Sequence, residues 1–299
     1  MARILPIAVL FLCIVAAHGK PGKYLRKALE FKRSIETFSM KLLNESVTSA
    51  NDNFIESPIS VWNMLTVLAE GANGNTLKQL KSIAHNNVEQ AFVKKAFHNV
   101  THALLVNTTT IKLQSVNAMF LPSTTKIDQN YRNSIRKNFL TKIFWIDFEQ
   151  EDPTKRVNRF VEKNTGGNIK DFLTNDVPQD ANMILINAIH FKGQWTVPFN
   201  PEDTMRDFFY DKNNEVIGEA NYMHGIGKYN FMTMKKINAQ ILEIPYGVEG
   251  RLSMIVVLPI PANSFRTVIY QISKVGMANI INLLSESSVD EFRILHPSI

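Results

Sequence analysis

The chain has 299 residues, a formal net charge of +6 at pH 7 and a single cysteine, Cys13. A chain of this length can bury a large core, as one big domain or two small ones, but it cannot build a disulfide framework. Its basic residues are not interleaved with aromatic ones as the binding of single-stranded nucleic acid would require, so no nucleic-acid partner is expected.

Residues 1–19 have the pattern of a secretory signal peptide. Arg3 precedes an apolar stretch from Ile4 to Ala17, and small residues follow up to Gly19. The stretch is shorter than the roughly 20 residues that a membrane-spanning helix needs, and no later segment is long and apolar enough. An N-terminal anchor is the alternative. We therefore expect a secreted, extracellular protein with one domain over residues 20–299 and no membrane partner.

Three Asn-x-Ser/Thr tripeptides begin at Asn44, Asn99 and Asn107. In a secreted chain each is a candidate for a surface glycan. The tripeptide is common by chance, so each one alone is weak support for glycosylation.

The first half of the domain is predicted to be mainly helical. Apolar residues recur at helical spacing between Tyr24 and Asn44, and Ser57 followed by Pro58 suits the N-cap and first position of a second helix. Strand formers fill 113–121, which contains one asparagine, Asn117, and also 142–148. Four further helices are expected over 77–84, 88–105, 127–139 and 154–164.

The second half is predicted to be mainly strands. Lengths, turn residues and alternation suit antiparallel sheets over 183–191, 207–210, 215–223, 228–235, 239–245 and 251–258. A final helix is expected over 264–284. Helices first and strands later predict a single α+β domain.

Asn187 stands out because it follows an apolar run, Met183 to Ile186. A buried amide without a partner costs about 1–3 kcal/mol, so this side chain must be hydrogen-bonded if it is buried. The sequence around it does not indicate the partner.

Signatures of catalysis are mostly missing from the sequence. It has no G-x-S-x-G, no Walker loop and no Cys-x-x-Cys, and no cofactor is predicted. His98 and His102 have the spacing of a zinc site, but a metalloprotease needs glutamate after the first histidine, where this chain has Asn99. Two histidines on a solvated helix face are the more economical interpretation, so neither a metal site nor an enzyme is predicted.

A basic segment lies in the middle of the chain and consists of Lys126, Arg132, Arg136, Lys137 and Lys142. Such a segment can contact a polyanion such as heparan sulfate, which makes a sulfated polysaccharide a candidate partner. A solvated helix face is the alternative.

Five ordered motifs resemble a known family. They are "NFIESPIS" (Asn53–Ser60), "GANGNTLKQL" (Gly71–Leu80), "VNRFVEKNTGGNIKDFL" (Val157–Leu173), "LINAIHFKGQWTVPFNPEDT" (Leu185–Thr204) and "LEIPYGVEGRLSMIVVLP" (Leu242–Pro259). Together they resemble the serpins, in a form similar to secreted insect members, and the resemblance extends over about residues 24–299.

The resemblance implies a fold and a set of site residues. The fold would be helices packed on a large mixed or antiparallel sheet, with smaller sheets beside it. Asn187 would lie in a central strand of the large sheet, bonded to Ser57 and Ser60 in the region called the shutter, where the sheet parts to admit a new strand. Trp195 would mark the breach, where insertion begins. The alternatives are a polar cluster that only fixes a helix on the sheet, and a core aromatic near a strand end.

The resemblance also implies a function. Serpins inhibit serine, and sometimes cysteine, endopeptidases: the protease cleaves a bait loop and forms an acyl-enzyme, and the loop then inserts into the large sheet. The final residues, "SVDEFRILHPSI", resemble the strand that precedes the family's C-terminal region. The sequence therefore predicts a C-terminally incomplete domain, from a truncated isoform or gene model, without the reactive loop. We expect such a chain to form no covalent complex with a protease. A non-inhibitory secreted binding, carrier or regulatory protein on the same scaffold is the alternative.

Overall fold

The computed structural model describes residues 8–10, 23–49, 54–84, 88–148, 150, 152–174, 177, 181–210, 215–248, 250–260, 263–287 and 289–297. The chain divides into two compact units, each of which is described by itself. The helical unit consists of Ala17–Ser39 and Phe54–Lys192, and the strand unit consists of Met1–Ala16, Met40–Asn53 and Gly193–Ile299.

The helices and strands follow one another along the chain as the sequence broadly predicts. The helices are α1 (Lys23–Ser49), α2 (Pro58–Gly71), α3 (Gly74–Ala84), α4 (Gln90–Ala103), α5 (Gln129–Asn138), α6 (Pro153–Asn164), α7 (Phe265–Val275) and α8 (Met277–Ser285). The strands are β1 (Ala8–Leu10), β2 (Val106–Asn107), β3 (Ile111–Pro122), β4 (Thr141–Ile146), β5 (Ile184–Gly193), β6 (Met205–Tyr210), β7 (Val216–Met234), β8 (Ala239–Tyr246), β9 (Leu252–Pro259) and β10 (Val289–Pro297).

The sheet of the helical unit is built around β3. This strand pairs with β2 antiparallel, with β4 parallel from Asn117↔Thr141 to Pro122↔Ile146, and with β5. Both faces of the sheet carry buried side chains, which is why its strands read as apolar runs rather than as clean alternation.

Helix α6 covers one face of this sheet. Its residues Val157 and Val161 are fully buried and belong to one core cluster with Phe120, Ile186 and Ala188. The cluster members on β3 and β5 have even numbers, because successive strand residues point to opposite faces. The odd-numbered residues, Asn117 and Asn187 among them, therefore point to the face opposite α6.

An aromatic core holds the remaining helices of this unit together. Trp62 on α2 is completely buried, stacks on Phe97 of α4 at a ring-centroid distance of 5.2 Å, and meets Phe31 of α1 edge-on at 5.5 Å. Its indole N–H donates to the carbonyl of Ala84 at 2.6 Å. Aromatic pairs of this kind contribute about 0.5–1.5 kcal/mol beyond the area they bury, so α2 is firmly placed among α1, α3 and α4.

The strand unit contains a six-stranded sheet in the order β1-β9-β8-β7-β10, with β6 also paired to β7. All its pairings are antiparallel. The sequence-predicted α+β class, with helices packed beside a mixed sheet and a further antiparallel sheet, is confirmed. Among the residues that the structure describes, no helix has both the length and the apolar character needed to cross a membrane.

Two predicted boundaries were wrong, and glycine is the reason in both cases. The strands predicted over 215–223 and 228–235 form one strand, β7, in which Gly225 and Gly227 sit where an aromatic ring approaches the backbone instead of in a turn. The single helix predicted over 264–284 is split into α7 and α8 at Gly276, whose φ of 87° interrupts the helix.

Three residues of the predicted signal peptide form a strand, which the sequence did not predict. Ala8, Val9 and Leu10 form β1 and pair with Val257, Val256 and Ile255 of β9, although a signal peptide was expected to lie outside the fold. An edge strand presents unpaired N–H and C=O groups, which an apolar segment of the same chain can satisfy. The rest of residues 1–22 lies outside the described residues, and the secretory role of the leader stays a prediction.

We expect Gly225→Ala to destabilise the strand unit. A Cβ at Gly225 would come within 2.8 Å of two carbon atoms of the Phe199 ring, and overpacking of this kind costs about 1–3 kcal/mol. Gly218→Ala on the same strand is the matched control, because a Cβ there meets nothing within 4 Å. Urea unfolding followed by tryptophan fluorescence measures both variants. Equal stability of the two variants would contradict the close approach.

Candidate functional site

Three buried asparagines, the amide cluster, meet on the sheet face opposite α6. They are Asn63 of α2, Asn117 of β3 and Asn187 of β5, with exposed fractions of 5%, 5% and 9%. The Oδ1 atom of Asn117 accepts two hydrogen bonds, from Nδ2 of Asn63 at 3.0 Å and from Nδ2 of Asn187 at 2.6 Å. The Nδ2 atom of Asn117 donates to the carbonyl of Phe139 at 3.3 Å. The Asn117 side chain of β3 therefore connects α2 and β5 through hydrogen bonds.

The Asn187 side chain is satisfied on its donor side only. Its Nδ2 atom also lies 3.4 Å from Oγ of Ser115, whereas its buried Oδ1 atom has no hydrogen-bond partner in the described part of the chain. The orientation of the amide is fixed, because the atom facing Oδ1 of Asn117 must be a donor. A buried acceptor left without a donor costs about 1–3 kcal/mol, so this position is poised to receive a hydrogen bond.

Strand β5 is paired on one side only within the described residues. It pairs with β3, and no other described strand lies along its second edge. Such an edge presents a row of unpaired backbone N–H and C=O groups, which is a template for the addition of an extended chain. Strand β5 has ten residues, Ile184 to Gly193, which is long enough for an added strand to form several backbone hydrogen bonds with it.

The predicted partners of Asn187 differ from those observed. Asn187 is buried as expected, but its amide bonds to Asn117 and Ser115 and makes no hydrogen bond to Ser57 or Ser60. The two serines bond to each other, with their Oγ atoms 2.8 Å apart. Ser57 is the N-cap of α2 with Pro58 in the first helical turn, as predicted, yet its side chain makes no capping bond because its hydroxyl is engaged with Ser60. The shutter role proposed for these residues stays a prediction.

Asn63 and Asn117 are the members of the cluster that the sequence did not assign to the site. Asn117 could be noticed in the sequence, because it is the single asparagine of a strand that is otherwise mainly apolar. Asn63 follows Trp62 in an apolar helix, and only the packing of α2 on the sheet reveals that its amide meets Asn117.

Trp195 lies in an aromatic group of the strand unit. Its ring stacks on Tyr246 with a centroid distance of 4.3 Å and an interplanar angle of 14°, and it meets Phe199 edge-on at 6.1 Å. Trp195 also forms an isolated backbone bridge with Tyr246. Burial raises the pKa of Tyr246 above its ordinary value. The contacts fit both a core aromatic and a breach residue, so the breach role stays a prediction.

The basic residues are distributed over α5 and its flanks. Lys126, Arg136, Lys137 and Lys142 are exposed, and the guanidinium group of Arg132 lies 5.0 Å from the ring centroid of Trp145. A cation held over an indole ring is a common surface packing arrangement, and it does not by itself indicate a ligand. The sulfated polysaccharide stays a predicted partner, with a solvated face as the alternative.

The three candidate glycan sites differ in their surroundings. Asn44 is half-buried within α1, whereas Asn99 on α4 and Asn107 on β2 are exposed. In the Asn99 tripeptide, however, Thr101 is 2% exposed and its hydroxyl donates to the carbonyl of Phe97. Asn107 has the most open setting of the three, because it ends β2 and is followed by an irregular segment.

Comparison with known proteins identifies relatives. A family model described as "Serpin (serine protease inhibitor)" matches residues 33–298. The chain is 32% identical over 241 residues to Serpin B3 of Homo sapiens, a match that covers 74% of this chain and 61% of that protein. It is 30% identical over 240 residues to the leukocyte elastase inhibitor of Xenopus tropicalis, covering 78% and 61%. The chain thus spans about three fifths of the length of these relatives.

A solved structure has the same fold. The structure titled "Cleaved Serpin 42Da" matches with a TM-score of 0.79 and 23% sequence identity, over 91% of this chain and 72% of that one. At this identity the likeness bears on the fold alone.

We expect Asn117→Ala to destabilise the helical unit more than Asn187→Ala. Loss of Asn117 leaves the amide of Asn63 without its acceptor and removes the closest partner of Asn187, for a cost of roughly 2–4 kcal/mol if both groups stay buried. Loss of Asn187 leaves the Asn63–Asn117 bond in place and should cost only about 1 kcal/mol.

Urea unfolding measures the three free energies, with Asn182→Ala as an exposed-amide control that should stay within about 0.5 kcal/mol of the parent. A larger loss for Asn187→Ala than for Asn117→Ala would show that Asn117 is not the central acceptor.

Proposed function

The chain belongs to the serpin family, and from that premise we propose that the whole protein inhibits a serine or cysteine endopeptidase by conformational trapping. The protease would cleave a bait loop and become attached to it as an acyl-enzyme. The cleaved loop would then add to the sheet of the helical unit as a new strand beside β5. Because the chain spans about three fifths of its relatives, this activity is proposed for the whole protein.

The observation that carries the proposal is the second edge of β5. It is the side of the sheet along which no described strand pairs, and the buried, unbonded Oδ1 atom of Asn187 lies on this strand. An added strand would form backbone hydrogen bonds along β5, and one donor brought to Asn187 would relieve the cost of its unsatisfied acceptor. Among the described residues neither kind of bond is made, so both would be gained if a strand added there.

The proposed role requires no catalytic group from this chain. The target protease supplies the nucleophile and its activating base, and the inhibitor supplies the strand and the sheet that receives it. The free energy would come from completing a β-sheet, which is a folding reaction rather than a chemical one. The specificity for a target would lie in the bait loop.

The receiving edge can be tested with a peptide added in trans. An extended peptide of small residues should add along β5, raise the unfolding temperature of the chain and slow hydrogen exchange of the β5 backbone amides. The matched control is the same peptide with alternate backbone nitrogens methylated, which removes the donors on one edge. Equal effects of both peptides would refute strand addition beside β5.

Trapping itself is tested with a panel of trypsin-like, chymotrypsin-like, elastase-like and papain-like proteases. The whole protein, including any coding sequence found downstream of Ile299, should give an SDS-resistant band of the summed mass with at least one of these proteases. Cleavage of the whole protein without a covalent complex would favour the non-inhibitory carrier instead.

We further propose that the protein is secreted and carries sugar on Asn107. The N-terminal leader pattern and the open setting of Asn107 support this proposal. Intact-mass measurement of protein secreted by insect cells should show a mature chain beginning near Lys20, with glycan mass that falls in Asn107→Gln. Asn44→Gln is the control and should leave the mass of the glycan unchanged. Recovery of an unglycosylated chain that still begins at Met1 would refute both parts.

A further inference from the structure

Two histidines lie one helical turn apart at the end of α4. The rings of His98 and His102 have a centroid distance of 4.3 Å and an interplanar angle of 63°. His98 is half-buried and His102 is exposed, so both rings are accessible from solvent. The i, i+4 spacing places the two side chains on one face of the helix.

The ring nitrogens have no competing partners within the described chain. Neither histidine makes a side-chain hydrogen bond or an ion pair with a described residue, and the recorded ring contact of each is with the other. The ring nitrogens are therefore available to bind a ligand from solvent.

The electrostatic setting favours a cation. Helix α4 ends at Ala103, so His102 lies in its last turn, where the carbonyl end of the helix dipole attracts positive charge, and His98 lies one turn before it. Lys94 is bound to Glu70 of α2 at 2.5 Å. Lys95 lies one turn before His98 and is the cation on the same helix that opposes binding.

We propose that His98 and His102 together bind one divalent cation of the borderline class, with Zn²⁺ as the representative. Neutral imidazole is a preferred ligand of zinc, copper and nickel, whereas magnesium and calcium prefer oxygen ligands. No group of three or more His, Cys, Asp and Glu side chains able to hold a metal occurs among the described residues, so water completes the coordination of this ion. The ion would clamp the last two turns of α4.

This site is structural rather than hydrolytic. Asn99 occupies the position after His98, where a zinc-dependent protease carries its glutamate general base. The site is also independent of the proposed inhibition, because it lies on α4 and uses no residue of the amide cluster.

The test is isothermal titration of the secreted chain, made without a polyhistidine tag, with ZnCl₂. We expect one zinc ion per chain, and weakening of at least about tenfold in both His98→Gln and His102→Gln, since even the loss of an outer-shell partner weakens metal sites by about 10–100-fold. Asn99→Gln is the matched control, because it changes the residue between the histidines, removes any sugar there and leaves both ligands. Mg²⁺ and Ca²⁺ should give no binding.

A second measurement uses the unaltered chain. The imidazole NMR signals of His98 and His102 should shift together as zinc is added, ahead of those of the other histidines. The proposal is overturned if zinc does not bind, if either histidine variant binds as tightly as the parent, or if the signals of other histidines shift first. Circular dichroism of the variants establishes that they are folded.

Discussion

The hydrogen bonds that meet at Oδ1 of Asn117 determine how the helical unit is organised. This one acceptor receives the amide of Asn63 from α2 and the amide of Asn187 from β5, so helix and strand are positioned from the same atom. Inside a protein such bonds are stronger than in water, and an unmade bond is correspondingly costly. The cluster therefore specifies the packing of α2 on the sheet more narrowly than aliphatic contacts would. A polar contact can also be exchanged for another polar contact, which interlocked aliphatic side chains do not allow.

The functional interpretation of the unbonded Oδ1 atom of Asn187 depends on where this residue lies in the sheet. Asn187 is held on one side by β3, while the other edge of β5 has no strand partner in the described part of the chain. A buried acceptor without a donor costs about 1–3 kcal/mol. That amount is small beside the backbone hydrogen bonds of an added strand. Because the Asn187 side chain points to the face opposite α6, a side-chain donor on that face of the proposed strand is what would bond to it.

The sequence alone predicted the order of the helices and strands, but it did not predict the hydrogen-bond partners of Asn187. Alternation and capping placed α2, α6 and β5 to within a few residues, because local patterns determine local structure. The bonds of Asn187 depend on which strand lies beside β5 and which helix lies beneath, and neither is encoded near residue 187. Gly225 misled the prediction for a similar reason, since the residue that requires a glycine there, Phe199, is distant in sequence.

Helix α6 keeps the strands beside this edge together. A strand added at the unpaired edge of β5 would lie about 4.8 Å beyond it, the spacing between paired strands, while α6 packs across β3, β4 and β5 together. The contact surface beneath the helix includes Ala118 and Ala188 as well as Phe120. The helix presents two stiff, compact valines, Val157 and Val161, and also Phe160, whose ring meets Phe120 and Phe144 edge-on at centroid distances of 5.8 Å and 5.2 Å. These contacts hold β3, β4 and β5 together, so a strand that added at β5 would meet an edge whose neighbours are already fixed. The polar cluster on one face and the aromatic contacts of α6 on the other therefore position the edge that the proposed strand would use.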